Sequence, residues 1–273
     1  ATWVIVVALQ IAYLPSLYSK YAHREGPVTI LETRAGLPTW GPELLVRHHF
    51  LAVFDQLGPY YGEWERWAAE VSESHTTYPV LVYFRSSDPW LSWVIALLTV
   101  LDAAAIHMAV APKGAPGEAR LLLHTGFNVF NRVAASMGWP PPDAVGPETP
   151  VAIAEAEFAS AVDILRRFGF PLECDAAAAW NDFRGWRVNY ERSAYRLASY
   201  LTAPPAPWSG TRHGVRVEDV EAHRPPHQLL DRVQGGLTES AHAQVQQRRA
   251  RSDLPPTWRA AVSEDPELGK DEG

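Results

Sequence analysis

The feature that most constrains this chain is its opening, "ATWVIVVALQIAYLPSL", which carries no charge from Ala1 to Leu17. As a helix rising about 1.5 Å per residue, such a stretch spans roughly 26 Å, close to the ~30 Å hydrocarbon core of a bilayer. Nothing basic precedes the run, and Pro15-Ser16-Leu17-Tyr18 is not a small-residue cleavage site, so it does not read as a secretory signal. Lys20, His23 and Arg24 follow it, and Tyr13, Tyr18 and Tyr21 suit an interfacial belt. The chain starts without Met. Residues 1–19 are therefore expected to be a truncated transmembrane helix contacting the bilayer through residues 1–18. The basic flank places residues 20–273 on the cytoplasmic side of a bacterial inner (plasma) membrane. Pro15 is expected to end or kink the helix, because it removes a backbone donor and crowds the preceding turn, and is a possible hinge.

The remaining residues read as helical bundle followed by tail. "REGPVTILETRAGLPTW" carries Gly26-Pro27, Gly36 and Pro38 and reads as a connector. A helix is expected from Pro42 to Gly58-Pro59, and a second from Gly62 to His75 with Trp64, Trp67, Ala68 and Val71 as its apolar stripe. "PVLVYF" is contiguous and β-prone but follows a Pro suited to a first helical turn; helix is the slightly favoured reading, strand the other. Asp88 and Pro89 open a long apolar helix, Trp90 to Val110, with Asp102 and His107 inside it. A central Asp opposes membrane insertion by about 2.5–3.5 kcal/mol, so a central bundle helix is the better reading. Further helices are expected over Ala119–Met137, from Thr149-Pro150 onward, and within "DAAAAWNDFRGWRVNYERSAYRLASYL". The fold class is thus mainly α. Residues 20–138 and 151–204 form two parts of a helical cytoplasmic domain, joined by a Pro-rich linker at 139–150. Residues 205–273 form a largely disordered tail with a short helix near Leu237–Arg249.

Composition narrows function. A net charge of −7 without a Lys/Arg cluster argues against nucleic acid as a partner. A single cysteine, Cys174, excludes an internal disulfide framework and a Cys-rich zinc site. No GxGxxG, Walker A, HExxH or GxSxG motif occurs. Adjacent His48 and His49 point about 100° apart on a helix and cannot chelate alone. The neighbours Ser74 and His75 rarely adopt nucleophile geometry, and His75 suits a helix C-terminus in any case. No catalytic, cofactor-binding or metal-binding residue is therefore assigned. Glu73, His75, Arg85, Asp102 and His107 remain as a possible polar cluster. Asp102 and Arg85 are the candidate buried pair, and "FRGWRVNYE" reads as a packed polar cluster holding the last helix.

The stretches "YLPSLYSKYAHRE", "TRAGLPTWGPELL", "WERWAAEVSESHTTYPVLVYFRS", "SWVIALLTVLDAAA" and "FRGWRVNYE" together resemble a group of bacterial membrane proteins of the potassium-channel-like, two-transmembrane ion-channel kind. The resemblance covers roughly residues 1–210. It implies an N-terminal membrane portion with two helices and a pore loop, then a cytoplasmic helical domain. Residues 1–18 would close the inner pore helix, and potassium would be handled by residues preceding Ala1. No TVGYG or TxGFGD filter occurs in this chain. The implied function is a regulatory or assembly domain of a homo-oligomeric channel-like protein. The alternatives are a membrane-tethered enzyme, with Glu73, His75, Asp102 and His107 sharing a pocket, and a structural interaction domain.

Overall fold

A computed structural model of the chain describes residues 2–139, 145–146 and 149–210, with side chains from residue 13 onward. Most of the Pro-rich linker, the short helix expected near Leu237–Arg249 and all of the tail beyond residue 210 lie outside these residues. The described residues are mainly helical, at 71% helix, and contain no strand. Eight helices follow in order: α1 (Thr2–Ala35), α2 (Gly41–Phe50), α3 (Leu57–Thr77), α4 (Trp93–Val110), α5 (Gly117–Ser136), α6 (Glu155–Arg167), α7 (Ala176–Arg187) and α8 (Glu191–Tyr200).

The largest departure from the sequence reading is α1. It does not stop at Pro15, and the expected connector is its second half. An interior proline costs a helix about 3 kcal/mol, and α1 contains two, Pro15 and Pro27. Burial on one face explains why the helix continues. Leu17, Arg24, Val28, Leu31 and Ala35 recur at spacings of seven, four, three and four, and all are buried. Local breakers thus lose to a stripe that a non-helical chain could not bury. Gly36, with φ of 69°, ends the helix in the left-handed conformation, and its N–H donates to the Glu32 carbonyl at 2.8 Å.

Three further boundaries move. α2 ends at Phe50, and a 3₁₀ turn at Phe54–Gln56 leads into α3, which takes Gly58 and Pro59 into its first turn. Proline is tolerated there because those N–H groups have no intrahelical acceptor. Pro79–Tyr83 is neither strand nor α-helix but a 3₁₀ turn. Asp88 does not cap α4, which begins at Trp93; its carboxylate instead accepts the Trp90 backbone N–H at 2.8 Å, closing a turn. In α6, which starts at Glu155 rather than Thr149, the Glu157 carboxylate accepts the Ala154 N–H at 2.9 Å.

α4 is the axis of the body. It is flanked by α2, α5 and α7, while α3 lies along α5. Among the described residues searched, α4 is the one helix long and apolar enough to cross a membrane, yet 94% of it is buried within the protein. Only Met108 of its residues is not buried. Its apolar surface is therefore covered by protein, and we read it as the core helix of the bundle. Residues 205–209, expected to begin the tail, extend this body instead: Ala206, Trp208 and Ser209 are buried.

α2 meets α4 at unusually close range. A Cβ added at Gly41 would lie 2.8 Å from the Ala103 backbone nitrogen and 3.0 Å from the Thr99 carbonyl oxygen. Neither can move without displacing α4. Gly41→Ala is expected to destabilise the protein by about 1–3 kcal/mol through overpacking, despite alanine's better helix propensity, and thermal denaturation followed by circular dichroism measures it.

Candidate functional site

Two buried arginines organise the polar interior. Arg187 falls on the apolar face of α7, at i+4 from Phe183 and i+8 from Ala179, and is fully buried. Its Nη1 donates to Asp102 of α4 and its Nε donates to Glu191 of α8 at 2.7 Å. Its Nη2 donates to the Tyr195 hydroxyl at 2.8 Å and to the Trp208 carbonyl at 2.6 Å. Tyr190 donates to the same Asp102 oxygen at 2.8 Å. Burial raises the Asp102 carboxyl to about 6, while Arg187 and Tyr190 pull the other way and favour its ionised form. Asp102 thus pairs with Arg187. The expected partner, Arg85, is exposed and donates to the Leu201 carbonyl at 3.0 Å.

The second arginine, Arg24, joins α1 to the body. Its side chain is 1% exposed. Nη1 donates to the Leu81 carbonyl at 3.0 Å and Nη2 to the Phe84 carbonyl at 2.6 Å, so it grips the 3₁₀ turn after α3 and the residue that follows it. Nε donates to Glu25 at 2.8 Å. Burial lowers Arg24 from its ordinary value, and Glu25 opposes that shift. In return, the Trp67 indole N–H donates to the Arg24 backbone carbonyl at 3.0 Å. Tyr21, one turn earlier, donates to the Arg85 carbonyl at 3.1 Å. His23 pairs with Glu70 at the surface.

His75 sits inside this junction. Its Nε2 lies 3.1 Å from Arg24 Nη1 and its Nδ1 3.1 Å from Ser74 Oγ. A guanidinium only donates, so Nε2 is the acceptor and the proton is assigned to Nδ1, which donates to Ser74. Ser74 in turn donates to the Glu70 carbonyl at 2.7 Å. The imidazole therefore has no lone pair free to take a proton from Ser74, and the pair is a structural relay. Burial, then the nearby Arg24 charge, lowers His75 to about 3.

The five residues of the expected polar cluster do not share a site. Glu73 is exposed; His75 belongs to Arg24, Asp102 to Arg187, and Arg85 to Leu201. His107, lowered to about 4 by burial, lies among Tyr61, Phe54 and Phe170, with Nδ1 3.4 Å from the Tyr61 hydroxyl. An enzyme built on that constellation loses its geometry. His48 and His49 also diverge: His48 receives Arg34 at 3.0 Å, whereas His49 packs against Phe54 and Phe170. Among the described residues no group of three or more His, Cys, Asp or Glu could hold a metal ion. Compared with family models, curated proteins and solved structures, the chain matches none of them.

Sequence reasoning did not find Arg24, which it used only as a flanking charge, nor the role of Arg187. Both carried the same signal: an arginine at a helical spacing that otherwise selects apolar residues. The candidate functional site is the Arg24 junction, because it connects the apolar opening of α1 to the bundle.

Arg24→Met would take the guanidinium donor from the Phe84 carbonyl and one of the two donors from the Leu81 carbonyl, which keeps the Phe84 N–H at 3.2 Å. A loss of about 3 kcal/mol is expected by thermal denaturation, with Arg24→Lys failing to restore it because one ammonium cannot reproduce the fork. His75 supplies a pH dependence. Its folded-state value lies below the unfolded one of about 6.5, so its contribution is complete above pH 6.5 and is lost as pH falls toward 3. His75→Asn, which keeps an acceptor for Arg24, is expected to flatten the decline in melting temperature over that window by one proton's worth of slope.

Proposed function

We propose that this chain is the cytoplasmic regulatory and assembly portion of an ion-channel-like bacterial membrane protein, anchored in the inner membrane by the first half of α1. The observation that carries the reading is the continuity of α1. One helix runs from the charge-free opening into the bundle, and its second half is locked there by Arg24 and the Leu17–Ala35 stripe. Tyr13, Leu14 and Tyr18 are exposed on the part that precedes the junction, at 44%, 61% and 70%. Apolar surface of this kind is normally covered by lipid or another chain. Lys20 and His23 are exposed just beyond it and supply the positive flank, while Arg24 is withdrawn into the body.

A bundle fixed to the end of a membrane helix can bias that helix only if it makes different contacts in two states. Pro15, inside α1 and five residues before Lys20, is the natural place for the two parts to pivot. Homo-oligomeric assembly beneath the pore and the handling of potassium rest on the sequence resemblance.

Two measurements test the reading. In alkaline carbonate extraction the chain should stay with the membrane pellet, and a version lacking residues 1–18 should be released. In planar bilayers, removing residues 20–273 from the full-length gene product should alter gating or conductance of potassium. Unchanged currents would remove the regulatory role, and release of the intact chain by carbonate would remove the anchor.

A further inference from the structure

Side-chain contacts fix the register of α3 against α1. The Trp67 indole N–H donates to the Arg24 carbonyl at 3.0 Å, and Glu70 pairs with His23. The ring of Tyr78, the residue that follows α3, meets Tyr13 edge-on with centroids 5.6 Å apart. The two helices therefore run antiparallel, and α3 ends beside the apolar opening of α1. The 3₁₀ turn Pro79–Tyr83 then reverses the chain, and Phe84 meets Tyr21 edge-on at 6.0 Å. Tyr13 and Tyr21 lie eight positions apart in α1, about 12 Å along its axis. The turn thus lies beside the stretch of α1 that exposes Tyr13, Leu14 and Tyr18. No Asp, Glu, Lys or Arg occurs between Glu73 and Arg85, and His75 among these residues is buried. Leu81 and Val82 point inward and are buried, whereas Val80, Tyr83 and Phe84 are 41%, 52% and 38% exposed. Tyr200, at the end of α8, is also exposed and extends the surface, its ring 6.0 Å from that of Tyr83. Exposed charges stand at the margins, with Glu73 and Arg85 on either side of the turn and Lys20 next to Tyr21.

We propose that this surface, Tyr78–Phe84 with Tyr200, is seated in the headgroup layer of the bilayer that holds the start of α1, so that the bundle rests on the membrane at a second point. The proposal rests on the anchor reading above and adds a contact to it. Register carries the argument. With residues 1–18 in lipid and α1 upright, Tyr13 lies about 7 Å inside the level of Tyr18, and Tyr78 shares that depth through its ring contact. Interfacial segments bury their apolar side about 5–10 Å into the boundary between headgroups and acyl chains, which matches. Composition agrees with depth. A tyrosine places an apolar ring in this layer and keeps its hydroxyl within reach of headgroups and water. The backbone is also prepared for a layer poor in water, where an unpaired peptide group is costly. The Leu81 N–H donates to the Tyr78 carbonyl at 2.9 Å and the Phe84 N–H to the Leu81 carbonyl at 3.2 Å, while Arg24 donates to the Leu81 and Phe84 carbonyls. A second copy of the chain covering the turn would have to enter the bilayer at the same level.

The test is site-directed spin labelling of the full chain in vesicles of phosphatidylethanolamine and phosphatidylglycerol. Cys174→Ser removes the native thiol, and Leu14→Cys, Val80→Cys and Leu121→Cys each place one label on an exposed position. Leu121 lies on α5, whose first turn approaches Gly58 at the opposite end of α3. Power saturation compares collisions with oxygen, which concentrates in lipid, and with a water-soluble nickel chelate. Labels at 14 and 80 should meet oxygen in preference to nickel, with a ratio several-fold above that at 121. Tyr200→Cys gives a second reading of the surface should the label at 80 disturb the turn, and circular dichroism checks that each labelled variant folds. Lipid at 14 with water at 80 and 200 overturns this proposal and leaves the anchor standing. Water at 14 overturns the anchor reading and this proposal with it. Shielding of 80 and 200 from both reagents identifies a protein cover, such as a second copy, and also overturns it.

Discussion

The ion pair between Arg187 and Asp102 is the constraint around which the bundle closes. A charge taken out of water is stable only when its donors or acceptors are all matched. Arg187 meets that demand with partners from three places: α4 through Asp102, α8 through Glu191 and Tyr195, and the chain after α8 through the Trp208 carbonyl. Burial pulls Arg187 down, and the carboxylate of Asp102 then drives it above its ordinary value. Withdrawing any one segment leaves a buried donor or acceptor of this cluster short of a partner, which ties α4, α7, α8 and the stretch around Trp208 together. Glu191 extends the constraint by accepting the Ala152 backbone N–H at 2.6 Å, which fixes the approach to α6.

Arg24 obeys the same logic with softer partners. Its donors go to two main-chain carbonyls and a neutral imidazole, and its acid, Glu25, lies on its own helix. No carboxylate from the body holds it. The bundle therefore has a centre held by paired charges and a junction to α1 held by neutral partners.

Much of this was legible in the sequence and some was not, for identifiable reasons. α5, expected over Ala119–Met137, is found over Gly117–Ser136, because its apolar spacing is regular and no proline interrupts it. α4 was recognised from its apolar run and correctly taken as central. α1 was cut in two because Pro15, Gly26, Pro27 and Gly36 are strong local signals, whereas the stripe that overrides three of them includes an arginine and so does not read as apolar. The partner of Asp102 was missed because sequence proximity favoured Arg85, while Arg187 lies 85 positions away. The dense polar stretch "FRGWRVNYE" did mark the right neighbourhood; choosing Arg187 within it required noticing that it continues the Ala179–Phe183 face.

The unbroken screw of α1 has one more consequence. A helix advances about 1.5 Å and turns about 100° with each residue, and here a single screw links the exposed apolar face at Tyr13 and Leu14 to the buried stripe that starts at Leu17. The azimuth of the bundle is therefore indexed by a count of residues. Inserting or deleting one residue between Leu14 and Leu17 would leave the contacts made from Leu17 onward intact, yet swing the body by more than a quarter turn about the axis of α1 relative to Tyr13 and Leu14, at the cost of the Tyr13–Tyr78 contact. Length in this segment is a specification of angle, which no substitution of side chains can rewrite.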